Sequence, residues 1–414
     1  MTRSAPIPPP QEFRLPEDRR RAGLAALGDT IRAARQVPFW AARLPNPGAG
    51  PVTESMLAAM PILRKGDLPA MQAALPPFGG ITARATGAFG RLFLSPGPIC
   101  EPGGVVDGGA VQAMRAAGVR AGDVVLNCFG YHLTPAGLMF DDAARSLGAA
   151  VIPAGGGNTG PILQAMAAYA PRIYVGTPDY LNILVEAAAA AGQPQPFQLA
   201  LLSAAALPAS LRAGFAARGI AVFEQYGTAE LGIIAYETDS HDGMVLAESL
   251  WAEIVAPGSG EPLPEGEVGE LVVTPLRQDY PLIRFGTGDL SGFAPGQAAS
   301  GHSNRRLRGW LGRADDAVKV KGMFLRPAML AEVLAALPPD LPARPPARFV
   351  IDRTAERDRL TLEIAATPSD QLGALLLARV RDVTRLGCEL RWVTPETLAG
   401  AEAQPILDRR PRPA

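Results

Sequence analysis

The sequence predicts an α/β protein. A large N-terminal domain is built on a doubly wound, mostly parallel sheet with a small β subdomain, and a small mobile α+β C-terminal domain follows. Three observations predict this. From residue 110 to the strand before "YGTAELG", short apolar runs alternate with segments of helical periodicity, the pattern of a parallel sheet with helices on both faces. After residue 243 the chain turns to short strands joined by Gly- and Pro-rich turns. From about residue 316 a third texture begins, one helix among strand-like runs. At 414 residues the chain is too long for one ordinary core, and 48% hydrophobic residues are enough to bury several. The expected domains are 1–313 and 314–414, with the α/β sheet over about 76–242 and the β-rich part over about 243–313.

The first dozen residues are Pro-rich and read as disordered. "RRRAGLAALGDTIRAARQVPFWAARL" has apolar residues at helical spacing and predicts one or two amphipathic helices. Residues 76–106 are rich in Gly and Pro around a strand-like "RLFLS". Then "GAVQAMRAAGV" reads as helix, "DVVLNCF" as strand, "GLMFDDAARSLG" as helix and "AAVIPA" as strand. "PILQAMAAYA", "RIYVGT", "DYLNILVEAAAAAG", "LALLSA", "PASLRAGFAARG" and "IAVFEQ" continue the alternation. Ligands of such sheets sit at the carboxyl ends of the strands, and "YGTAELG", residues 226–232, lies at one. "WAEIV", "GELVVTPL" and "YPLIRF" read as a small antiparallel unit. "AVKVKGMF", the helix "AMLAEVLAAL" and the strands "RFVIDR", "LTLEIAA" and "ELRWVT" make the last domain.

Composition excludes several function classes. Lys plus Arg is 39 and Asp plus Glu is 40, so no nucleic-acid surface is expected beyond a short basic tail, "DRRPRPA". Cys100, Cys128 and Cys388 are scattered and odd in number, which argues against a disulfide framework or zinc ribbon and suits a reducing compartment. No export segment or membrane span is legible, so the expected location is cytoplasmic.

Four constellations carry chemistry. "AGGGNTG", residues 154–160, matches the Gly pattern of a dinucleotide loop, with Asp179 at the expected spacing. The alternative is a flexible strand-to-helix turn. In "YGTAELG", Tyr226 suits stacking on a planar base and Gly227 lets a ligand approach the backbone. Thr228 can donate to a phosphate oxygen, and Glu230 offers a hard ligand to Mg²⁺. The alternative is a surface turn. In "YPLIRFGTGDLSGF", Asp289 is placed to accept from sugar hydroxyls, or to serve a hairpin turn. In "GRADDAVKVKGMFLRP", Arg313 can reach ribose or phosphate, and Asp315 and Asp316 lie at the domain boundary. His132 follows a strand end; its alternative is a structural histidine.

The last three motifs, in this order and spacing, resemble the adenylate-forming superfamily, and the phenylacetate–CoA ligase group above all. The resemblance covers roughly residues 30–410. It implies activation of a small, aromatic carboxylic acid by ATP to an acyl-adenylate, then transfer to CoA, with ATP/AMP, Mg²⁺ and CoA as cofactors and co-substrates. By motif, Tyr226, Gly227, Thr228, Ala204, Asp289, Arg313 and Lys321 would bind nucleotide and Glu230 the metal. Phe129, Tyr131, His132, Gly155 and Gly156 would line the acyl pocket, and Asp315 would be the hinge. Thr228, Glu230, Arg313, His132 and Gln404 would stand in the catalytic positions. The expected partners are the acid and a second copy in a homodimer, with no nucleic acid and no membrane.

The departures point to an alternative. The family's phosphate loop ends in Lys; here only "ATGAFGR" resembles it, with Arg91 as the nearby cation. Ala204 and Ala205 stand where Gly-Glu is usual, and Gln404 where a catalytic Lys is usual. Loss of one preorganised donor costs about 10²–10³ in rate. The alternative reading is therefore a weakened or repurposed relative that binds nucleotide or acyl-CoA, unless Arg91, Arg409 and Arg410 compensate.

Overall fold

The computed structural model describes residues 11–410 except 49, 96–97, 105–106, 206, 315–317, 321–322, 336, 338–344, 355–356 and 401–403. The chain divides into two compact units: one runs to Thr287 and takes Ser291–Trp310, the other takes Gly288–Leu290 and everything from Leu311 on.

The strands of the first unit are, in chain order, β1 (Leu63–Arg64), β2 (Arg91–Ser95), β3 (Ile99–Gly103), β4 (Val124–Asn127), β5 (Ala150–Pro153), β6 (Ile173–Gly176) and β7 (Leu199–Leu202). They continue with β8 (Ala221–Thr228), β9 (Gly232–Glu237), β10 (Met244–Leu246), β11 (Leu250–Val255), β12 (Val268–Pro275), β13 (Phe285–Ala294, of which Gly288–Leu290 fall in the second unit) and β14 (Arg306–Leu307). Strands β5-β4-β6-β7-β8 pair in parallel. Each parallel strand sends alternate residues to opposite faces. Val125, Val175, Leu201 and Phe223 pack in one core with Met114 and Phe140 from the helices Gly108–Ala116 and Ala136–Ser146. Leu126, Tyr174, Ala200 and Val222 pack in another with Ile162, Leu184 and Phe215 from three later helices. That is the doubly wound pattern the sequence predicts. Burial on both faces makes these strands apolar runs rather than alternating ones.

The antiparallel strands do not form a separate sheet. Strand β9 folds back on β8, and the order runs on through β10, β14, β13, β12 and β11, with β1 added beside β13. One sheet of 12 strands results. A second difference concerns "YPLIRF". The strand begins at Phe285, where the sequence reading ends it. The cause is Arg284, buried and left-handed at φ 48°. Its guanidinium donates to Ala58, Met60 and Gly260 carbonyls at 2.6–2.9 Å and to Glu253 at 3.1 Å, which fixes a turn just before the strand.

In the second unit, β15 (Val318–Val320) and β16 (Met323–Leu325) form a hairpin. The strands β17 (Ala347–Thr354), β18 (Arg357–Ile364), β19 (Glu389–Trp392) and β20 (Ile406–Asp408) form a sheet in the order β19-β18-β17-β20. The helices Pro327–Leu334 and Asp370–Thr384 share its core through Leu330, Val333, Leu376 and Val380. The second helix and β20 are absent from the sequence reading. No helix among the described residues is long and apolar enough to cross a membrane.

Candidate nucleotide site

The motif "YGTAELG" is a hairpin turn between β8 and β9. Two of its glycines are required. A Cβ on Gly227 would lie 2.5 Å from the Gly232 carbonyl, and Gly232 is left-handed at φ 71° with the Asp107 carboxylate against its Cα. Asp107 caps the helix Gly108–Ala116 through Ala110 N–H at 2.7 Å. Burial pushes its carboxyl up to about 6, against bonds from backbone N–H groups. The turn is thus locked to a helix start. Within it, Thr228 Oγ1 accepts from Leu231 N–H at 3.3 Å.

Beside the turn lies a cavity of about 670 Å³ lined by Ser203, Ala204, Gln225, Tyr226, Gly227 and Trp310, among others. It sits at the carboxyl ends of β7 and β8, where such sheets bind ligands. Ala204 is left-handed at φ 66°. The backbone conformation that favours glycine is kept here, although the glycine is not. Gln225 is buried, and both its amide nitrogen and its amide oxygen lack a partner. Glu224 lines the same cavity. Burial raises its carboxyl, Glu237 raises it further, and Arg212, 2.5 Å away, pulls it back. This wall offers donor and acceptor groups to a planar polar heterocycle.

Glu230 is buried, with no side-chain exposure. The Lys65 ammonium lies 2.9 Å from its Oε1 and 3.3 Å from its Oε2, with the aligned hydrogen bond going to Oε2. Glu101, on β3, is buried nearby. Burial lifts its carboxyl to about 7, opposed by a Ser95 hydroxyl bonded to Oε1 and helped by the Glu230 charge. Glu101 Oε2, Glu230 Oε1 and the Tyr280 hydroxyl all lack an aligned partner. The Glu230 carboxylate calls for a cation, and the Lys65 ammonium stands against it. Mg²⁺ demands near-octahedral oxygen ligands at close range. It draws them mostly from waters and substrate phosphates, with one or two carboxylates; among the described residues no group of three His, Cys, Asp or Glu side chains is disposed to hold a metal by protein ligands alone.

The expected phosphate-side arginine is also engaged. Arg91, at the start of β2, pairs through both guanidinium nitrogens with Asp142. Arg410 pairs with Asp358 and Asp408 at 2.7–2.8 Å. Gln404 is exposed just before β20. Lys321, Asp315 and Asp316 lie outside the described residues.

In the second unit, Asp289 and Arg313 come together. They form an isolated β-bridge, and Arg313 Nη1 donates to Asp289 Oδ1 at 3.1 Å. Gly288, at φ 73°, lets the guanidinium lie against the backbone.

The acyl-pocket candidates converge through Asn127, a fully buried residue that sequence reasoning passes over. Its amide donates to the Tyr131 hydroxyl at 2.8 Å and the Gly137 carbonyl at 2.7 Å. Its side-chain oxygen accepts from Phe129 N–H, and its backbone carbonyl from Ala154 and Gly155. Phe129 stacks on Phe140 with ring centroids 5.2 Å apart. Tyr131 donates to Asp141 at 3.1 Å. Gly156 lies against the Cys128 carbonyl, and burial pushes the Cys128 thiol up to about 12. His132 is exposed. Asp179 lies in the first turn of the helix Pro178–Ala190, where a carboxylate favours the helix N-terminus.

The AMP-binding enzyme family matches residues 109–275. A phenylacetate–coenzyme A ligase of Aromatoleum evansii is 31% identical over 325 residues, 73% of this chain and 72% of the relative. Another, of Thermus thermophilus, is 30% identical over 262 residues, 61% of this chain and 58% of the relative. A solved 2-hydroxyisobutyryl-CoA ligase, in complex with 2-HIB-AMP and CoA, shares the fold at TM-score 0.85 and 23% identity over 97% of this chain and 96% of that one. The chain belongs to the phenylacetate–CoA ligase family of adenylate-forming enzymes.

Proposed function

We propose that this protein activates a small aromatic carboxylic acid with ATP and transfers the acyl group to CoA. The observation that carries the proposal is the cavity at the ends of β7 and β8, walled by Tyr226, Gln225 and Ala204. Adenine packs on Tyr226 with its polar edge toward Gln225 and Glu224. Asp289 and Arg313 hold the ribose. Thr228 donates to the α-phosphate, and the acid enters between Phe129, Tyr131, His132 and the Gly155–Gly156 turn. The acid's carboxylate oxygen attacks the α-phosphorus and pyrophosphate leaves. The CoA sulfur then attacks the acyl carbon and AMP leaves. Mg²⁺ enters as the metal complex of ATP, a substrate. The region after Asp315 moves between the two steps as a lid, with Lys321 on the nucleotide, and the protein works as a cytoplasmic homodimer.

The test is direct: the full chain, ATP, Mg²⁺, CoA and a panel of aryl and short aliphatic acids, with AMP and thioester measured. Aryl acids give both products. No AMP and no thioester with any acid rejects the proposal.

A second reading, a weakened relative that binds nucleotide without efficient adenylation, is favoured by the exposed Gln404 and by the ion pairs that occupy Arg91 and Arg410. Gln404→Lys discriminates. A gain of about 10² or more in AMP formation supports the second reading, in line with the worth of one preorganised donor; strong wild-type turnover rejects it.

A further inference from the structure

A second cavity lies against the helix Pro16–Ala34. It encloses about 550 Å³, within the range of small-molecule sites. It and the candidate nucleotide cavity both belong to the first unit, at opposite ends of the same two strands. Strand β10 starts at Met244 in the nucleotide cavity and ends at Leu246 in the second one. Strand β14 runs the other way, from beside Arg305 in the second cavity to beside Arg308 in the first. None of the four sequence constellations contributes a residue to this lining.

The walls are of two kinds. Trp251, Leu250 and Leu276 form an apolar side with Ala22 and Ala26 of the helix. The helix comes this close because residue 23 is glycine; a Cβ there would lie 3.1 Å from the Trp251 ring. The other side is basic. Arg14, Arg19, Arg20 and Arg305 line it against Glu54 and Glu248, so two positive charges of the lining are uncompensated. The buried Glu248 carboxylate holds Arg14 at 2.9 Å and Arg19 at 2.8 Å. Arg19 uses its other nitrogens on the Ser303 hydroxyl and the Gln11 carbonyl. Arg20 donates from Nε to Glu54 at 2.8 Å. Arg305 differs. It is exposed, and among the described residues its side chain meets no carboxylate at ion-pair distance and makes one hydrogen bond, to the Ala252 carbonyl at 2.7 Å. Its guanidinium is steadied 3.8 Å over the Phe293 ring, and its backbone carbonyl accepts from Leu246 N–H. Such a group is positioned by its stem and keeps nitrogens for a planar or tetrahedral oxyanion.

We propose that this cavity is a second binding site, for a small amphipathic anion whose aromatic body lies against Trp251 and whose oxyanion head meets Arg305 and Arg20. A phosphate monoester and a carboxylate share that chemistry, and the two uncompensated charges favour the dianionic phosphate. Arg14 and Arg19, tied to Glu248, form the fixed part of the basic wall. The site stands whether or not the chain makes adenylates, because none of its residues serves that reading.

Fluorine NMR titration of the full chain tests it, with para-fluorophenyl phosphate, para-fluorobenzoate and the neutral para-fluorobenzyl alcohol as probes and AMP present in excess. Arg305→Met removes the head-group contact. Ala22→Phe fills the apolar side and leaves every charge in place. Arg20→Met, at an exposed position, is the mildest change. Hydrogen bonds to charged groups set the expected loss of anion affinity in Arg305→Met at about 10- to 100-fold. Ala22→Phe abolishes the binding, and Arg20→Met gives a smaller loss. The alcohol binds at least about 10-fold more weakly than either anion, for the same reason. Adenosine affinity stays within about twofold in all three variants, as expected of separate sites. Tighter binding of the phosphate assigns a monoester and tighter binding of the benzoate assigns a carboxylic acid; both support the site. Anion affinity unchanged in Arg305→Met and Ala22→Phe places the binding elsewhere and overturns the proposal. Equal affinity for alcohol and anions, or no anion binding at millimolar concentration, also overturns it. So does a loss of adenosine affinity that matches the loss for the anions, because the change is then global.

Discussion

The two sides of the candidate site are built differently. On the nucleoside side, the "YGTAELG" turn is locked by two obligatory glycines and a helix cap, and the "FGTGDL" strand is launched by a buried arginine. On the proposed phosphate side, the β2–β3 hairpin carries no lysine, its arginine is tied to Asp142, and the Lys65 ammonium, just after β1, meets Glu230. Backbone geometry holds the first side, and a few long-range ion pairs hold the second. A binding surface set by turns and strand ends survives the loss of individual charges. A phosphate site made of flexible cations does not.

The largest expected effect breaks the rigid side. Arg284→Met removes the guanidinium that satisfies three carbonyls and pairs with Glu253. Breaking a buried pair costs about 3–5 kcal/mol, so denaturant unfolding should show a loss of that order. Loss of under about 1 kcal/mol would show that the turn before β13 does not depend on it.

The next tests the phosphate side by pH. Folding raises Glu101 from 4.5 to about 7 through burial. The folded state then binds more protons than the unfolded state between those values, and stability falls as pH rises through that window. The total is on the order of 3 kcal/mol at 1.36 kcal/mol per pKa unit. Glu101→Gln should flatten the fall between pH 5 and 8 in thermal melts; an unchanged slope assigns it to another group.

The smallest sharpens the nucleoside wall. Ala204 holds a left-handed conformation that costs an L-residue roughly 1–2 kcal/mol. Ala204→Gly relieves it, less the added entropy of glycine in the unfolded chain. The expected gain is about 0.5–1 kcal/mol with nucleotide affinity preserved. A loss would show that the Ala204 methyl packs favourably in the cavity wall.

Much of the doubly wound sheet was legible because its strands are buried on both faces and its helices keep one apolar stripe. Those signals lie within ten or fifteen residues of sequence. The β8–β9 corner stood out as a candidate site because Gly227, Thr228 and Glu230 make no sense as core. The start of β13 was misplaced because Arg284 looks like a strand residue until its partners, from Ala58 to Gly260, are known. The role of Asn127 was invisible for the same reason: a single Asn in an apolar run carries no pattern, yet it joins the "FGYH" and "AGGG" loops.

The sequence by itself determined the α/β order and the family, since periodicity and motif spacing are local properties of the chain. Only the tertiary structure decided what faces Glu230. A carboxylate in a motif announces that a cation is needed, but which cation depends on what the fold brings within about 3 Å of it. Here the pairing of β1 with β13 brings Lys65.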